Sequence, residues 1–96
     1  MNQLASISST LASLKPVLRS KYFVKSIGLF GSVLREDFTE KSDVDIIVDF
    51  SKPVGIEFID LADFLEKQLS KTVDLVSRNA VKAKYFSHFE KDIRYV

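Results

Sequence analysis

The sequence contains no cysteine and one histidine. Disulfides and thiolate metal sites are therefore excluded, and a metal ion would have to be held by oxygen ligands or by His88. No apolar run approaches the ~20 residues that a membrane-crossing helix requires. The opening stretch, MNQLASISSTLASLKPVLRS, lacks the basic start and unbroken apolar core of a secretory signal. With 28% charged residues and a mean hydropathy near zero, neither disorder nor membrane residence is expected, and a cytoplasmic protein is the natural expectation. Repeats, linkers and low-complexity segments are missing too. Zinc-finger and RNP-like motifs are absent and the basic residues are scattered rather than gathered in one stripe, so direct nucleic-acid binding is not expected.

What is present fits one domain spanning residues 1–96. A chain of this size, 46% hydrophobic and 11% aromatic, buries roughly 60–70% of its unfolded surface. The net charge of +1 conceals a segregation along the chain. Residues 1–35 carry five bases and no acid, residues 36–66 carry ten acids against Lys41 and Lys52, and residues 67–96 return to seven bases against three acids. An acidic middle between basic flanks suits a site that holds divalent cations together with an anionic ligand, although most of these charges must simply be solvated.

Leu4, Ile7, Leu11, Leu14 and Leu18 recur at helical spacing and predict an N-terminal amphipathic helix that Pro16 should kink or split. Residues 24–30, VKSIGLF, predict a strand ending at Gly31, followed by a turn into a short helix. After the polar loop around TEKS, residues 43–50 predict a second strand. Phe58, Leu61, Ala62, Leu65 and Leu69 form the stripe of a helix over 56–69, with Pro53 and Gly55 punctuating the chain before it. TVDLV (72–76) predicts a third strand, a last helix is expected around 80–91, and IRYV could add an edge strand. The alternation argues for an α/β (α+β) fold, a small mixed β-sheet flanked by helices.

The chemistry sits on the second and third strands. Strand alternation sends Val44, Ile46, Val48 and Phe50 to one face and Asp43, Asp45, Ile47 and Asp49 to the other. Asp43 and Asp45 then project together with α-carbons about 6.6 Å apart, near enough to share cations, whereas Asp49 lies about 13 Å beyond Asp45 and is left out. Neighbouring carboxylates repel unless a cation lies between them, and a pair of Mg²⁺ ions would resolve that repulsion. Asp74, on the polar side of the third strand, can join them if the two strands pair at ~4.8 Å. Upstream, Gly31 lets the backbone approach a ligand closely, and the amides and hydroxyl at Ser32 offer donors to a phosphate.

A strand, Gly-Ser, an intervening segment, Asp-x-Asp entering a second strand and a lone strand aspartate further on resemble the nucleotidyltransferase superfamily of the DNA polymerase β-like fold. The short length and the form LFGSVLREDFTEKSDVDIIV resemble its smallest branch, the minimal nucleotidyltransferases, or MNT (MntA-type) antitoxins. The resemblance covers nearly the whole chain. It implies that Gly31 and Ser32 hold the β- and γ-phosphates of a nucleoside triphosphate. Asp43, Asp45 and Asp74 would ligate Mg²⁺, with Asp74 also helping to activate an acceptor hydroxyl. Arg35 would contact phosphate, though the residues flanking it differ from the family's, and Ser42 would orient the metal strand or cap its loop. The implied reaction is Mg²⁺-dependent transfer of AMP from ATP to a hydroxyl, by resemblance a tyrosine of a HEPN-type toxin partner, residues 80–96 offering a docking surface.

Each candidate also has a plainer explanation. Asp43 and Asp45 could cap a turn, Asp74 could be a solvated edge-strand residue, and Arg35 could pair with Asp37 or Glu40 for ~0–1 kcal/mol. His88 reads as a surface residue of the last helix, and the eight phenylalanines mostly as core. Two rival functions remain: a binding-only antitoxin with a vestigial acidic site, and an enzyme that modifies a small molecule such as an aminoglycoside. Homo- and hetero-oligomers are both compatible with the sequence.

Overall fold

The helical spacing of the N-terminal leucines is realised in α1, Gln3–Tyr22, whose buried side chains are Ile7, Leu11, Leu18 and Tyr22. The structure, a computed structural model, describes residues 3–39 and 41–96. Pro16 lies inside α1 without splitting it. Pro16 is exposed, and so is Ala12 one turn earlier, so the carbonyl deprived of its donor can turn to water. Phe23 then leaves the helix with φ 58°, a left-handed residue that swings the chain into the first strand.

Four strands form one sheet: β1 (Val24–Phe30), β2 (Val44–Phe50), β3 (Val73–Ser77) and β4 (Arg94–Tyr95), in the order β3-β2-β1-β4. β1 runs antiparallel to both β2 and β4, while β2 and β3 are parallel. A parallel pair needs a crossover, supplied by α2, Ile56–Leu69. The register moves from Val24 opposite Phe50 to Ser26 opposite Asp49, so Lys25 is the extra residue of a bulge. The small mixed sheet flanked by helices is the expected architecture.

Alternation sorts the two faces as anticipated. Ile27, Leu29, Val44, Ile46, Val48 and Val73 pack in one buried cluster with the apolar stripes of α1 and α2. The opposite face is covered more thinly, by Ile47, Phe86 and Ile93 with Phe30, Val81 and Phe89 packed against them. The helix expected over 80–91 is shorter. A 3₁₀ turn covers Arg78–Ala80, α3 covers Ala83–Phe89, and a second 3₁₀ turn covers Glu90–Asp92. Phe89 leaves helical geometry at φ −124°, ψ 0° and stacks on Phe30 with ring centroids 5.2 Å apart. The break lets Ile93 reach the sheet and β4 pair with β1. Gly28 makes room for that pairing, because a β-carbon there would strike Ile93 and crowd the Tyr95 ring.

Two contacts brace β3. The Val73 amide donates to Glu66 Oε2 at 2.8 Å, tying the strand to α2. The Val44 amide donates to the Thr72 carbonyl at 2.9 Å, fixing the start of β3 beside the start of β2.

Candidate active site

Because Val44 and Ile46 must face the helices, Asp45 faces the other side of the sheet. The ladder sets Asp45 opposite Asp74 on β3 and opposite Phe30 on β1. Residues directly opposite in a ladder share a face, with strands ~4.8 Å apart. The expected pairing of the two aspartate strands is therefore met residue for residue. Asp43 precedes β2 by one residue and is exposed, Asp74 is exposed on an edge strand, and Asp45 is half-buried between them. Asp49 falls opposite Ser26, further along the ladder, where it was expected to be out of reach.

Gly31 opens a 3₁₀ turn, Gly31–Leu34, with φ +69°. That left-handed conformation favours glycine, and a β-carbon there would also run into Asp45 Oδ2. The turn lies directly against the carboxylate. The Ser32 amide donates to Asp45 Oδ2 at 3.3 Å, and the Ser32 hydroxyl donates to the Asp43 carbonyl at 2.9 Å. Sequence reasoning expected both donors to face a phosphate; here they stitch the glycine turn to the aspartate strand, because the nearest acceptors are the strand's own.

Burial is the largest influence on Asp45 and pushes its carboxyl above the usual range; the charges of Asp74 and Asp43 push the same way, while the Ser32 amide opposes them. No positive charge is among the influences on the Asp45 carboxyl. Among the described residues, no three carboxylate or imidazole groups form a ready set of metal ligands. The expected convergence is one of strand positions, with the Asp45 carboxylate turned to the Ser32 amide. Three hard oxygen donors with unbalanced negative charge suit a divalent cation by their chemistry.

Arg35 takes the surface pairing that was its plainer explanation, and Ser42 caps its loop as expected. Arg35 Nε pairs with Asp37 Oδ1 at 3.3 Å on the exposed surface. The Ser42 hydroxyl accepts from the Thr39 amide at 3.1 Å, and the Ser42 amide donates to the Thr39 carbonyl at 3.0 Å, so Ser42 closes the loop leading to Asp43. His88 is exposed on α3, as anticipated.

A groove of about 760 Å³ opens beside the turn, lined by Gly31 and Arg35 on one side and by Phe89, Lys91 and Arg94 on the other. Sequence reasoning did not single out Lys91 or Arg94. Only the basic character of the last third pointed toward them.

A family profile described as a nucleotidyltransferase domain matches residues 11–95. The chain belongs to the nucleotidyltransferase family. Among the relatives of this nucleotidyltransferase is a Methanocaldococcus jannaschii protein, provisionally designated a protein adenylyltransferase, 42% identical over 98 residues and covering 100% of both chains. Another is the protein adenylyltransferase MntA of Thermococcus cleftensis, 39% identical over 97 residues, covering 100% of this chain and 98% of that one. Among solved structures, a toxin–antitoxin complex with AMP-PNP matches the fold with a TM-score of 0.73 at 24% identity, over 92% of this chain and 70% of the other. Within the described residues, no helix of this nucleotidyltransferase is long and apolar enough to cross a membrane.

Proposed function

We propose that this nucleotidyltransferase transfers AMP from ATP to a hydroxyl acceptor with Mg²⁺, the acceptor being a tyrosine of a HEPN-type toxin that it restrains as antitoxin. The observation that carries the reading is the register of Asp45 opposite Asp74, with Asp43 entering the same strand and the Gly31 turn seated on Asp45. The acceptor class rests on the adenylyltransferase names of the relatives. It rests also on the fold shared with the complex of a tri-AMPylated Shewanella oneidensis HEPN toxin and its MNT antitoxin, at a TM-score of 0.69 and 22% identity over 96% of this chain and 70% of that one.

Asp43, Asp45 and Asp74 would hold Mg²⁺, which supplies charge neutralisation at the phosphates and a lowered pKa for a bound hydroxyl. The protein's own part is positioning. Sheet order puts Asp74 on the outer strand, where an acceptor hydroxyl arriving from another molecule can reach its exposed carboxylate. That hydroxyl oxygen forms the new bond to the α-phosphorus, its proton passes to the Asp74 carboxylate, and the bond to the β-phosphate oxygen breaks to release pyrophosphate. Holding both reactants against a rigid sheet supplies the orientation such a transfer needs.

The test is incubation with α-labelled ATP, Mg²⁺ and the toxin. Label on the toxin that disappears with Asp43→Asn supports catalysis. A toxin that is inhibited yet unlabelled overturns it in favour of binding alone, and label on a small molecule redirects the acceptor.

A further inference from the structure

We infer that the groove between the glycine turn and the corner formed by the 3₁₀ turn Glu90–Asp92 and the start of β4 receives the polyphosphate tail of the nucleotide, with Lys91 and Arg94 as its counter-charges. The inference rests on the nucleotidyltransferase reading above and adds residues to it from the far end of the chain.

Position is the first argument. Sheet order is β3-β2-β1-β4, so the groove lies on the β1–β4 side of the carboxylates and Asp74 lies on the opposite side. Phe30, which helps line the groove, is the ladder partner of Asp45. A nucleotide whose α-phosphorus sits at the aspartates, with its acceptor arriving at Asp74, has its leaving group directed away from Asp74. In-line displacement places the attacking and leaving oxygens on opposite sides of the phosphorus, and the groove is what lies on that side.

Charge is the second. Arg35, Lys91 and Arg94 border the groove against one acid, Asp92. The ion pair between Arg35 and Asp37 is exposed at both ends, and neither Lys91 nor Arg94 is in an ion pair among the described residues. An exposed pair of that kind is held by only ~0–1 kcal/mol, so a multiply charged phosphate can compete for Arg35. Lysine and arginine are the side chains that bind phosphate oxygens best, and here they are concentrated where the rest of the site is acidic.

Rigidity is the third. The corner is anchored by Phe89 stacked on Phe30, by Ile93 buried at 8% exposure and by the pairing of β4 with β1. Lys91 and Arg94 are therefore presented from a fixed element. Their contribution falls on nucleotides with phosphates beyond the first, so the corner acts as a selector of triphosphate over monophosphate.

Calorimetric titration in Mg²⁺ with AMP-PNP, with AMP and with inorganic pyrophosphate tests this on the intact chain. The Lys91→Ala/Arg94→Ala variant should lose about tenfold in affinity for AMP-PNP and for pyrophosphate, with AMP unchanged within about twofold. Lys91→Arg should keep the parent affinities, and Lys67→Ala, on α2, should change none of them. Equal loss of AMP and AMP-PNP, or no loss of either, overturns the inference while leaving the transferase reading intact. A parent protein that binds none of the three overturns both.

Discussion

Gly31→Ala probes the contact on which the site is built. Two costs are combined in it. A non-glycine residue at φ +69° pays the left-handed penalty, about 1–2 kcal/mol. The new β-carbon must also displace the Asp45 carboxylate, whose Oδ2 occupies its place; forcing an atom into packed structure costs about 1–3 kcal/mol. The sum, about 2–5 kcal/mol, is read from urea unfolding midpoints at constant m-value. Introducing the same substitution into Asp45→Ala separates the parts. With the carboxylate gone, only the backbone penalty of about 1–2 kcal/mol should remain, leaving a coupling of about 1–3 kcal/mol between the two positions. Additive losses in the double variant would refute the reasoning, because they would mean that the turn does not lie against Asp45.

Asp45 titrates higher in the folded protein than the ordinary 3.8 because burial and its acidic neighbours disfavour its charge. A folded carboxyl with a raised pKa binds its proton more tightly than the unfolded one, so this contribution to stability falls as pH rises above the ordinary carboxylate range. Asp45→Asn should therefore unfold at a higher temperature than the parent at neutral pH, lose that advantage in acid, and abolish label transfer; added Mg²⁺ should raise the melting temperature of the parent more than that of the variant. Ser70 ends α2 with φ 53°, and Ser70→Gly should stabilise by about 1 kcal/mol in denaturant titration with activity unchanged. Glu66→Ala removes the acceptor of the Val73 amide; it should cost about 1–2 kcal/mol and speed hydrogen exchange at Val73, which borders Asp74.

Most of the local structure was legible in the chain itself. The spacing of Leu4, Ile7, Leu11 and Leu18 and the stripe through Leu61 and Leu65 fix two helices. The alternation of Val44, Ile46 and Val48 with Asp45 settles which face the carboxylate takes, because burying Asp45 among the helices would strand its charge. Gly-Ser followed by Asp-x-Asp pointed to the candidate site, and the structure seats the Gly31 turn against the Asp45 carboxylate. Where local rules fail, contacts between distant segments decide. Pro16 fails to divide α1 because the freed carbonyl can face water, and the last helix breaks at Phe89 because stacking on Phe30 and burial of Ile93 outweigh continuing the helix by the two residues expected beyond it.

Periodicity could say that Asp45 and Asp74 each face away from a core. Only the parallel register of β2 and β3 sets them opposite each other, since register depends on how the crossover helix and the Glu66–Val73 contact seat one strand beside another. Likewise only tertiary structure turns the Ser32 donors to the aspartate strand and brings Lys91 and Arg94 to the far side of the glycine turn. Sequence patterns carry the preference of each residue for water or core; pairings between segments tens of residues apart are settled by the packing of the whole sheet.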